Sequence, residues 1–475
     1  MRTANRLSLL LPILFVSSVF CQNAAVNVAL VETGLTPRIH IEGQPQEKWT
    51  VAERLAHYHV PGASAAFVSD GKIEWAKGYG YSSREEQKLV TPEIMFQAAS
   101  INKPVAAMTA LRLVELGKLS LDEDVNVKLR SWKIPANDFT RDNPVTLRKI
   151  LSHTAGLTVH GFPGYAEGEP LPTLIQILDG RKPANSPPVR VDIAPGKQMR
   201  YAGGGYEVMQ QLIEDVTGRP FAAVAQGLVL DPLGMKHSTY RQPPPESLRP
   251  LAASAYQADG QPIPGKYHIY PEDAAAGLWT TPSDLAQVIF EIQRPGRVLK
   301  PETVEQMLTP VLDHWGLGLQ LQDTDGQKSF SHGGSNAGFE CLLFAYRQGG
   351  QGAVVMTNGD AGSELASEIL ASIAALDHWP DFKPVEKDAV VVKPDVLSSY
   401  TGHYQTADGF VIEVTVEGGK LYVEAVAHHL KAALLPESET SFFDPNGAIP
   451  DVHFSRASDG TLQLSGGGLT AKRAK

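Results

Sequence analysis

A buried helix that begins near Ser100 constrains the fold more than any other stretch of the chain. Small and apolar residues recur at helical spacing across residues 106–116, and Gly117 marks the helix end. Pro104 lacks the N–H that a helix interior needs, so the helix must begin close to Ser100. Ser100 is therefore predicted at the positive end of the helix dipole, with Lys103 on the same face. This arrangement describes a candidate activated nucleophile.

The spacing of a serine and a lysine three positions later is weak on its own, because Ser69 and Lys72 share it. Those two residues flank Asp70-Gly71, a strong two-residue turn signal inside a predicted hairpin over residues 62–79. No helix begins behind them. The surrounding sequence therefore favours Ser100 over Ser69 as the nucleophile.

Strand patterns lie at both ends of residues 45–378, and mainly helical patterns lie between them. After the hairpin at 62–79, a helix is predicted over 363–376, and neighbouring strands are predicted at 315–321, 341–346 and 353–357. This order predicts an α/β fold in which one antiparallel sheet, built from both chain ends, is flanked by helices and carries an inserted helical subdomain.

The C-terminal part of the chain has a different character. Residues 379–394 are rich in proline and charge and are predicted to be a linker. Residues 395–475 carry only strand patterns separated by turn signals, which predicts a small all-β barrel domain. With 475 residues, the chain is long enough for a large first domain, at 45–378, and this second one.

The N-terminal segment predicts export. Arg2 and Arg6 precede a short apolar run, so residues 1–21 are interpreted as a signal peptide, with cleavage after Cys21 or a few residues on, near Ala24 or Ala25. We expect a periplasmic or secreted protein without a transmembrane helix in the mature chain. Lipoprotein anchoring through Cys21 is the less favoured alternative, because Phe20 stands where such sites need a small residue.

Charge and metal-ligand patterns exclude several kinds of partner. The net charge of −10 and the pI near 5.8 argue against nucleic acid as a partner. The histidines at 57, 59, 428 and 429 form no ligand set with acids or cysteines, so we expect no metal and no cofactor. The remaining cysteine, Cys341, lies in an apolar run and is interpreted as a core residue.

A serine hydroxyl needs a group that takes its proton and donors that stabilise the oxyanion formed on a substrate. Lys103 could accept the proton if burial or a second cation lowers its pKa. Tyr201 could share this task, because it precedes three glycines that allow close approach of a ligand and then a helix start. His332, followed by Gly333 and Gly334, lies in a strand where a substrate backbone could lie alongside.

These three motifs, in this order, resemble the serine β-lactamase and penicillin-binding-protein superfamily, and within it the class C and related serine hydrolase branch. That family carries Ser-x-x-Lys, then Tyr-x-Asn, then a triad that is led by Lys or His and ends in Gly. The resemblance covers roughly residues 50–378. It includes the phrases at 60–62, 117–124, 153–157, 230–235 and 276–284.

The resemblance implies a role for each site residue. Ser100 would be acylated, and Lys103 and Tyr201 would carry its proton to the leaving group. The backbone N–H groups of Ser100 and Ser335 would form the oxyanion hole. The substrate would bind along His332, Gly333 and Gly334. His153 stands in a phrase typical of the family and is interpreted as a structural loop residue.

One position departs from the family pattern. Gly203 stands where the family has an asparagine whose amide holds the acylamino group of the substrate and the lysine. About 0.5–1.5 kcal/mol of net hydrogen bonding is then missing. The resemblance therefore predicts weak or no β-lactam hydrolysis and leaves acyl transfer intact.

These observations together predict an exported serine hydrolase that cleaves an ester, a small amide or a D-amino-acid peptide, with cell-wall-derived compounds among the candidate substrates. The alternative is a non-catalytic penicillin sensor or assembly protein that keeps the fold. The C-terminal barrel resembles the lipocalin-like domain of D-aminopeptidase and related peptidases. The sequence leaves the formation of a homo-oligomer open.

Overall fold

The computed structural model describes residues 28–406, 409–425, 430–445, 447 and 449–474. The predicted signal peptide, residues 1–21, lies outside this part of the chain, as do Cys21 and the candidate cleavage sites. Within the described ranges, no helix combines the length and the apolar character needed to cross a membrane.

The strands follow in chain order: β1 (Ile39–Ile41), β2 (Gly62–Ser69), β3 (Lys72–Ser83), β4 (Lys88–Leu89), β5 (Phe96–Gln97), β6 (Trp279–Thr280), β7 (Gln320–Thr324), β8 (Gln327–Asn336), β9 (Phe339–Tyr346), β10 (Gly352–Thr357), β11 (Val385–Lys387), β12 (Gly402–Thr406), β13 (Val411–Glu417), β14 (Lys420–Ala425), β15 (Leu430–Pro436), β16 (Ser441–Phe443), β17 (Val452–Arg456), β18 (Leu462–Gly466) and β19 (Leu469–Arg473).

The α-helices follow in the same way: α1 (Val51–His57), α2 (Asn102–Glu115), α3 (Val125–Lys128), α4 (Leu147–Leu151), α5 (Leu174–Asp179), α6 (Gly203–Thr217), α7 (Phe221–Ala225), α8 (Asp231–Leu233), α9 (Asp273–Ala276), α10 (Pro282–Gln293), α11 (Pro301–Met307), α12 (Gly362–Leu376) and α13 (Pro394–Ser399). Residues 28–32 are also helical.

The described chain divides into two compact units. The first comprises residues 28–32 and Thr50–Leu376, and the second comprises Thr33–Trp49 and the chain from Asp377 onward. The first unit contains the Ser100 helix and the sheet predicted around it.

A seven-stranded antiparallel sheet forms the centre of the first unit, in the order β4-β3-β2-β10-β9-β8-β7. The late strand β10 pairs with the early strand β2, so that Val354 lies opposite Ala66, and it pairs with β9 on its other side. Every residue of β10 is buried, as expected for a central strand covered on both faces. The prediction of one sheet built from both chain ends, with helices between, is confirmed.

The helix α2 begins at Asn102 and is buried along most of its length. Its apolar residues join a continuous core with those of α6 and α10. Gly117, just beyond the helix, has a φ of +67°, which a glycine adopts without steric cost. The start and the stop of this helix lie where the proline and the glycine predicted them.

The strand predicted over residues 315–321 is wrong in its first part. Only Gln320 and Leu321 are in β7, and Trp315 to Leu319 form a turn. Gly318 has a φ of +89°, and its N–H donates to the carbonyl of Leu151. A Cβ at Gly318 would lie 2.8 Å from the Cβ of Ala107, so the alternation of glycine and leucine reflects close packing on α2.

The second unit contains a closed eight-stranded barrel, β12 to β19, in which consecutive strands are antiparallel neighbours and β12 pairs with β19. Its core includes Tyr404, Phe442 and Phe454. Each of the eight strands has a paired neighbour on both sides, although β15 and β16 share only two residue pairs. The predicted small all-β barrel is confirmed. In addition, β1 and β11 form a parallel pair, which the sequence patterns did not predict.

Candidate active site

Ser100 lies in a short 3₁₀ turn, Ala99–Ile101, that leads directly into α2. The turn is anchored because β5 pairs with β6 and the N–H of Ala98 donates to the carbonyl of Leu278. Ala99 has a φ of +47°, a conformation that costs a non-glycine residue on the order of 1–3 kcal/mol. Ser100 itself is only half-buried, so a substrate can reach its hydroxyl.

Lys103 is 2% exposed and contacts the serine directly. Its Nζ lies 2.9 Å from Ser100 Oγ and donates a second hydrogen bond, also of 2.9 Å, to the carbonyl oxygen of Ala275. The side chain is therefore held between the nucleophile and α9, within reach for proton transfer.

The short helix α9 is held from both sides. Glu207 and Gln210 of α6 accept the N–H groups of Ala275 and Ala274 at 3.1 and 2.9 Å. From the other side, the amide of Asn102 donates to the carbonyl of Asp273 at 2.9 Å. Polar side chains of α2 and α6 thus hold α9, and among them Glu207 bonds Ala275, the residue whose carbonyl Lys103 contacts.

Burial raises the pKa of the carboxyl groups around α9. Burial raises the pKa of Glu207 well above its ordinary value, and the nearby Glu272 adds to this shift. Burial also raises the pKa of Glu272 to about 8. Both oxygens of Glu272 lack a hydrogen-bond partner among the described residues. Burial thus favours the protonated, uncharged form of both carboxyl groups.

Tyr201 precedes α6 and lies beside Lys103, whose Nζ is 5.0 Å from the centre of its ring. The ring of His153 packs on Tyr201 at a centroid distance of 4.2 Å. His153 Nδ1 accepts the N–H of Ala202 at 3.2 Å, so its Nε2 carries the proton of the neutral ring. Burial lowers the pKa of His153 well below its ordinary value. The hydrogen bond from the backbone of Ala202 holds the neutral imidazole of His153 against the Tyr201 ring.

The end of β8 borders the Ser100 turn. A Cβ on Gly334 would lie 2.4 Å from the carbonyl oxygen of Ala98, so glycine allows this close approach. Asn336 donates to Gln97 Oε1 at 2.8 Å and ties the strand to the turn. On its other edge, β8 pairs with β7 only as far as Ser331. Beyond that residue β8 has no partner strand on that edge within the described ranges, and His332 Nδ1 contacts the carbonyl of Gly333 at 2.6 Å.

His332 is buried at this edge and is uncharged. Burial lowers the pKa of its ring to about 3, and the positive charge of Lys103 contributes to the shift. Its ring centroid lies 6.1 Å from that of Tyr201, and both rings contact Trp315. At the first position of the triad, β8 therefore presents the neutral ring of His332, whereas family triads that begin with lysine present a cation there.

Gly203, the first residue of α6, is covered by the loop over residues 158–165. Its N–H donates to the carbonyl of His160 at 3.0 Å. A Cβ on Gly203 would lie 3.1 Å both from that carbonyl oxygen and from the ring of Phe162. A side chain at position 203 would therefore require the His160 carbonyl and the Phe162 ring to shift by a few tenths of an ångström.

The structure brings most of the predicted site residues together. Contacts link neighbouring members of one group: Ser100, Lys103, Tyr201, His332 and Gly334. Gly333 and Ser335, on either side of Gly334 in β8, are exposed. Gly203 lies nearby, under Phe162. Lys72, which shares the serine–lysine spacing with Ser69 in the hairpin, instead forms an ion pair with Glu74 at 3.3 Å. Glu207, Asn336, Trp315 and Phe162 were not predicted, because no local pattern marks their contacts.

Comparison with known proteins agrees with this fold and site. The sequence model of the family described as Beta-lactamase matches residues 49–377. The chain therefore belongs to the beta-lactamase family, within the superfamily of serine hydrolases that also contains penicillin-binding proteins and esterases.

Individual relatives are distant. Penicillin-binding protein 4* of Bacillus subtilis (strain 168) is 24% identical over 429 residues, which cover 83% of this chain and 90% of that protein. Esterase EstB of Burkholderia gladioli is 30% identical over 221 residues, which cover 45% of this chain and only 54% of EstB. The octameric penicillin-binding protein homologue from Pyrococcus abyssi is 25% identical with a TM-score of 0.61, and the match covers 89% of this chain and 98% of that one.

Proposed function

We propose that the chain is an exported serine hydrolase that cleaves an ester, a small amide or a D-amino-acid peptide through an acyl-enzyme on Ser100. The observation that carries the proposal is the 2.9 Å contact between Lys103 Nζ and the Oγ atom of Ser100, a half-buried residue in a buried turn. The similarity to an esterase and to a penicillin-binding protein supports acyl transfer as the reaction class.

In the proposed reaction, Ser100 Oγ attacks the carbonyl carbon of the substrate. Its proton passes by way of Lys103 and Tyr201 to the leaving oxygen or nitrogen, and the bond from the carbonyl carbon to that atom breaks. Water then attacks the acyl-enzyme, returns one proton to Ser100 and releases the acid. An ester plus water thus gives an acid and an alcohol, and an amide gives an acid and an amine.

The N–H groups of Ser100 and Ser335 are proposed as the oxyanion hole. The close approach of Gly334 to the Ser100 turn supports this assignment, because Ser335 is the next residue of β8. The edge of β8 beyond Ser331, which has no partner strand within the described ranges, supports His332, Gly333 and Gly334 as the place where the substrate lies. Loss of one oxyanion donor typically lowers the rate by about two to three orders of magnitude.

Weak or absent β-lactam hydrolysis is part of the proposal. The neutral ring of His332 offers no positive charge to a substrate carboxylate. Gly203 offers no amide, and Phe162 fills the adjoining space. An uncharged ester or amide therefore suits the site better than a β-lactam with its carboxylate.

Three further assignments belong to the same proposal. The hydrolase domain is assigned to residues 45–378, the linker to 379–394, and a lipocalin-like barrel domain to 395–475. Export rests on the signal-peptide pattern of residues 1–21. Assembly into a homo-oligomer is supported by the octameric homologue from Pyrococcus abyssi.

Turnover of p-nitrophenyl acetate tests the proposal. Wild type and Ser69→Ala, which changes the serine of the hairpin, are expected to hydrolyse the ester at the same rate, and Ser100→Ala is expected to lose turnover. Equal turnover by Ser100→Ala would refute it. A wild type that is labelled at Ser100 by a fluorophosphonate but turns nothing over would support the sensor or assembly protein instead.

A further inference from the structure

The loop over residues 158–165 forms one side of the candidate site. The His160 ring lies 4.9 Å from the Tyr201 ring, and the Phe162 ring covers Gly203, two positions after Tyr201. Phe162 is half-buried and packs on the core of the unit, so part of its ring faces solvent. The ring thus lies where an asparagine at position 203 would project.

Hydrogen bonds fix both ends of this loop. At its start, Thr158 donates its N–H to the carbonyl of Arg190 at 2.8 Å. At its end, Tyr165 and Ile269 exchange backbone hydrogen bonds of 2.9 and 2.8 Å. In the middle, the ring of His268 contacts the carbonyl of Pro163 at 3.0 Å. The position of Phe162 is therefore set before a substrate arrives, which is what a specificity surface requires.

The loop also holds a strained residue. Val159 has a φ of +67°, a conformation that a β-branched side chain rarely adopts. Its carbonyl accepts the N–H of Gly204 at 3.0 Å, and a Cβ at Gly204 would lie 2.6 Å from the carbonyl oxygen of Thr158. The glycines of α6 thus allow the loop to lie close to the start of this helix. The strained backbone of Val159 is a consequence of this close packing.

We infer that Phe162 is a specificity-determining residue that selects apolar, uncharged acyl groups and rejects acyl groups carrying an amide at the acylamino position. The inference rests on the proposed acyl transfer at Ser100. An amide facing the Phe162 ring receives no side-chain hydrogen bond from Gly203 in place of the water it loses, whereas an apolar acyl chain gains contact with the ring. The neutral His332 adds no charge to this side of the site.

Two esters of the same shape test the inference. p-Nitrophenyl 4-methylpentanoate and p-nitrophenyl N-acetylglycinate differ mainly by an amide in place of a hydrocarbon segment. Wild type is expected to have a kcat/KM at least about tenfold higher for the hydrocarbon ester. Phe162→Ala is expected to lower kcat/KM for that ester about tenfold and to leave the amide ester within about twofold. The double variant Phe162→Ala with Gly203→Asn is expected to reverse the preference.

Matched controls separate this inference from the proposed function. Phe139→Ala removes another partly exposed phenylalanine and is expected to keep the wild-type preference. Equal kcat/KM of the wild type for the two esters overturns the inference without any substitution. An equal loss for both esters in Phe162→Ala, with Ser100 still labelled by a fluorophosphonate, overturns it as well. Absence of both hydrolysis and Ser100 labelling in wild type would instead contradict the proposed function.

Discussion

Glu207 accepts the backbone N–H of Ala275 at 3.1 Å, and this contact places the carbonyl that Lys103 uses. The family asparagine that would hold the lysine is replaced by Gly203 in this chain. Lys103 nevertheless has two partners, Ser100 Oγ and the carbonyl of Ala275. Glu207 therefore acts as a positioning residue. It holds Ala275, and the carbonyl of Ala275 holds Lys103.

Glu207→Leu is expected to lower kcat about tenfold with little change in KM, because a displaced Lys103 affects the reaction more than binding. It also leaves the buried N–H of Ala275 unpaired, which costs about 1–3 kcal/mol of stability. Glu207→Gln keeps an acceptor and is expected to retain activity. Steady-state kinetics on a p-nitrophenyl ester and urea unfolding measure both effects.

Gln210→Leu is the matched control for Glu207. It removes the acceptor of the neighbouring N–H of Ala274 but leaves Ala275 and Lys103 in place. We expect a similar loss of stability and an activity close to wild type. If Gln210→Leu and Glu207→Leu lower kcat equally, Glu207 supports the fold and does not position Lys103.

Glu272 gives the stability of the first unit a defined pH dependence. Its pKa rises from an ordinary value of 4.5 to about 8 on folding, so the folded state keeps the proton longer. Stability from this group is fully present below pH 4.5 and is lost as the pH rises toward 8, by about 1.4 kcal/mol per pH unit. Urea unfolding at pH 5 and pH 8 is expected to show a smaller loss for Glu272→Gln than for wild type. An identical loss in both proteins would contradict the burial of an unpartnered carboxyl group.

His332 is expected to remain neutral throughout the working pH range. Because its pKa is about 3, its ionisation contributes no step to kcat/KM between pH 5 and 8. His332→Asn is expected to change the level of kcat/KM for an uncharged ester and to leave the midpoints of its pH profile unchanged. A midpoint near pH 6 that disappears in His332→Asn would show that the ring titrates during catalysis.

A buried ion pair is expected to carry stability without activity. Arg54 donates to both carboxylate oxygens of Glu368, at 2.8 and 2.6 Å, and both residues are less than 10% exposed. Glu368→Leu removes the carboxylate that balances the buried charge of the guanidinium, which keeps its hydrogen bond to the Tyr58 hydroxyl, and we expect a loss of about 3–5 kcal/mol in the free energy of unfolding. The kcat/KM of the remaining folded protein is expected to equal that of wild type. A large fall in kcat/KM at full folding would contradict the separation of this pair from the site.

The site could be predicted from the sequence as far as local patterns reach. Ser100 and Lys103 are marked by a proline and a glycine that fix one helix, and the glycines after Tyr201 and His332 mark places of close approach. Glu207 could not be predicted in this way, because its partner Ala275 lies far along the chain. The pairing of Phe162 with Gly203 depends on a loop whose residues carry no pattern of their own.

The fold was predictable for a similar reason. Strands in antiparallel hairpins, such as β2 and β3, have strand-like runs and a turn signal within a few residues. The false strand over residues 315–319 alternates glycine and leucine, but its leucines are buried by packing of a tight turn on α2. The pairing of β1 with β11 joins residues more than 300 positions apart, and short strands of this kind carry too little pattern to be recognised.

The covalent adduct on Ser100 is the most direct test of the central claim. A fluorophosphonate reacts with an activated serine by forming an oxygen–phosphorus bond and releasing fluoride, and mass spectrometry locates the modified residue. We predict one adduct per chain, located on Ser100, retained in Ser69→Ala and absent from Ser100→Ala. An adduct that persists in Ser100→Ala, or a wild type that forms none, would contradict the assignment of Ser100 as the nucleophile.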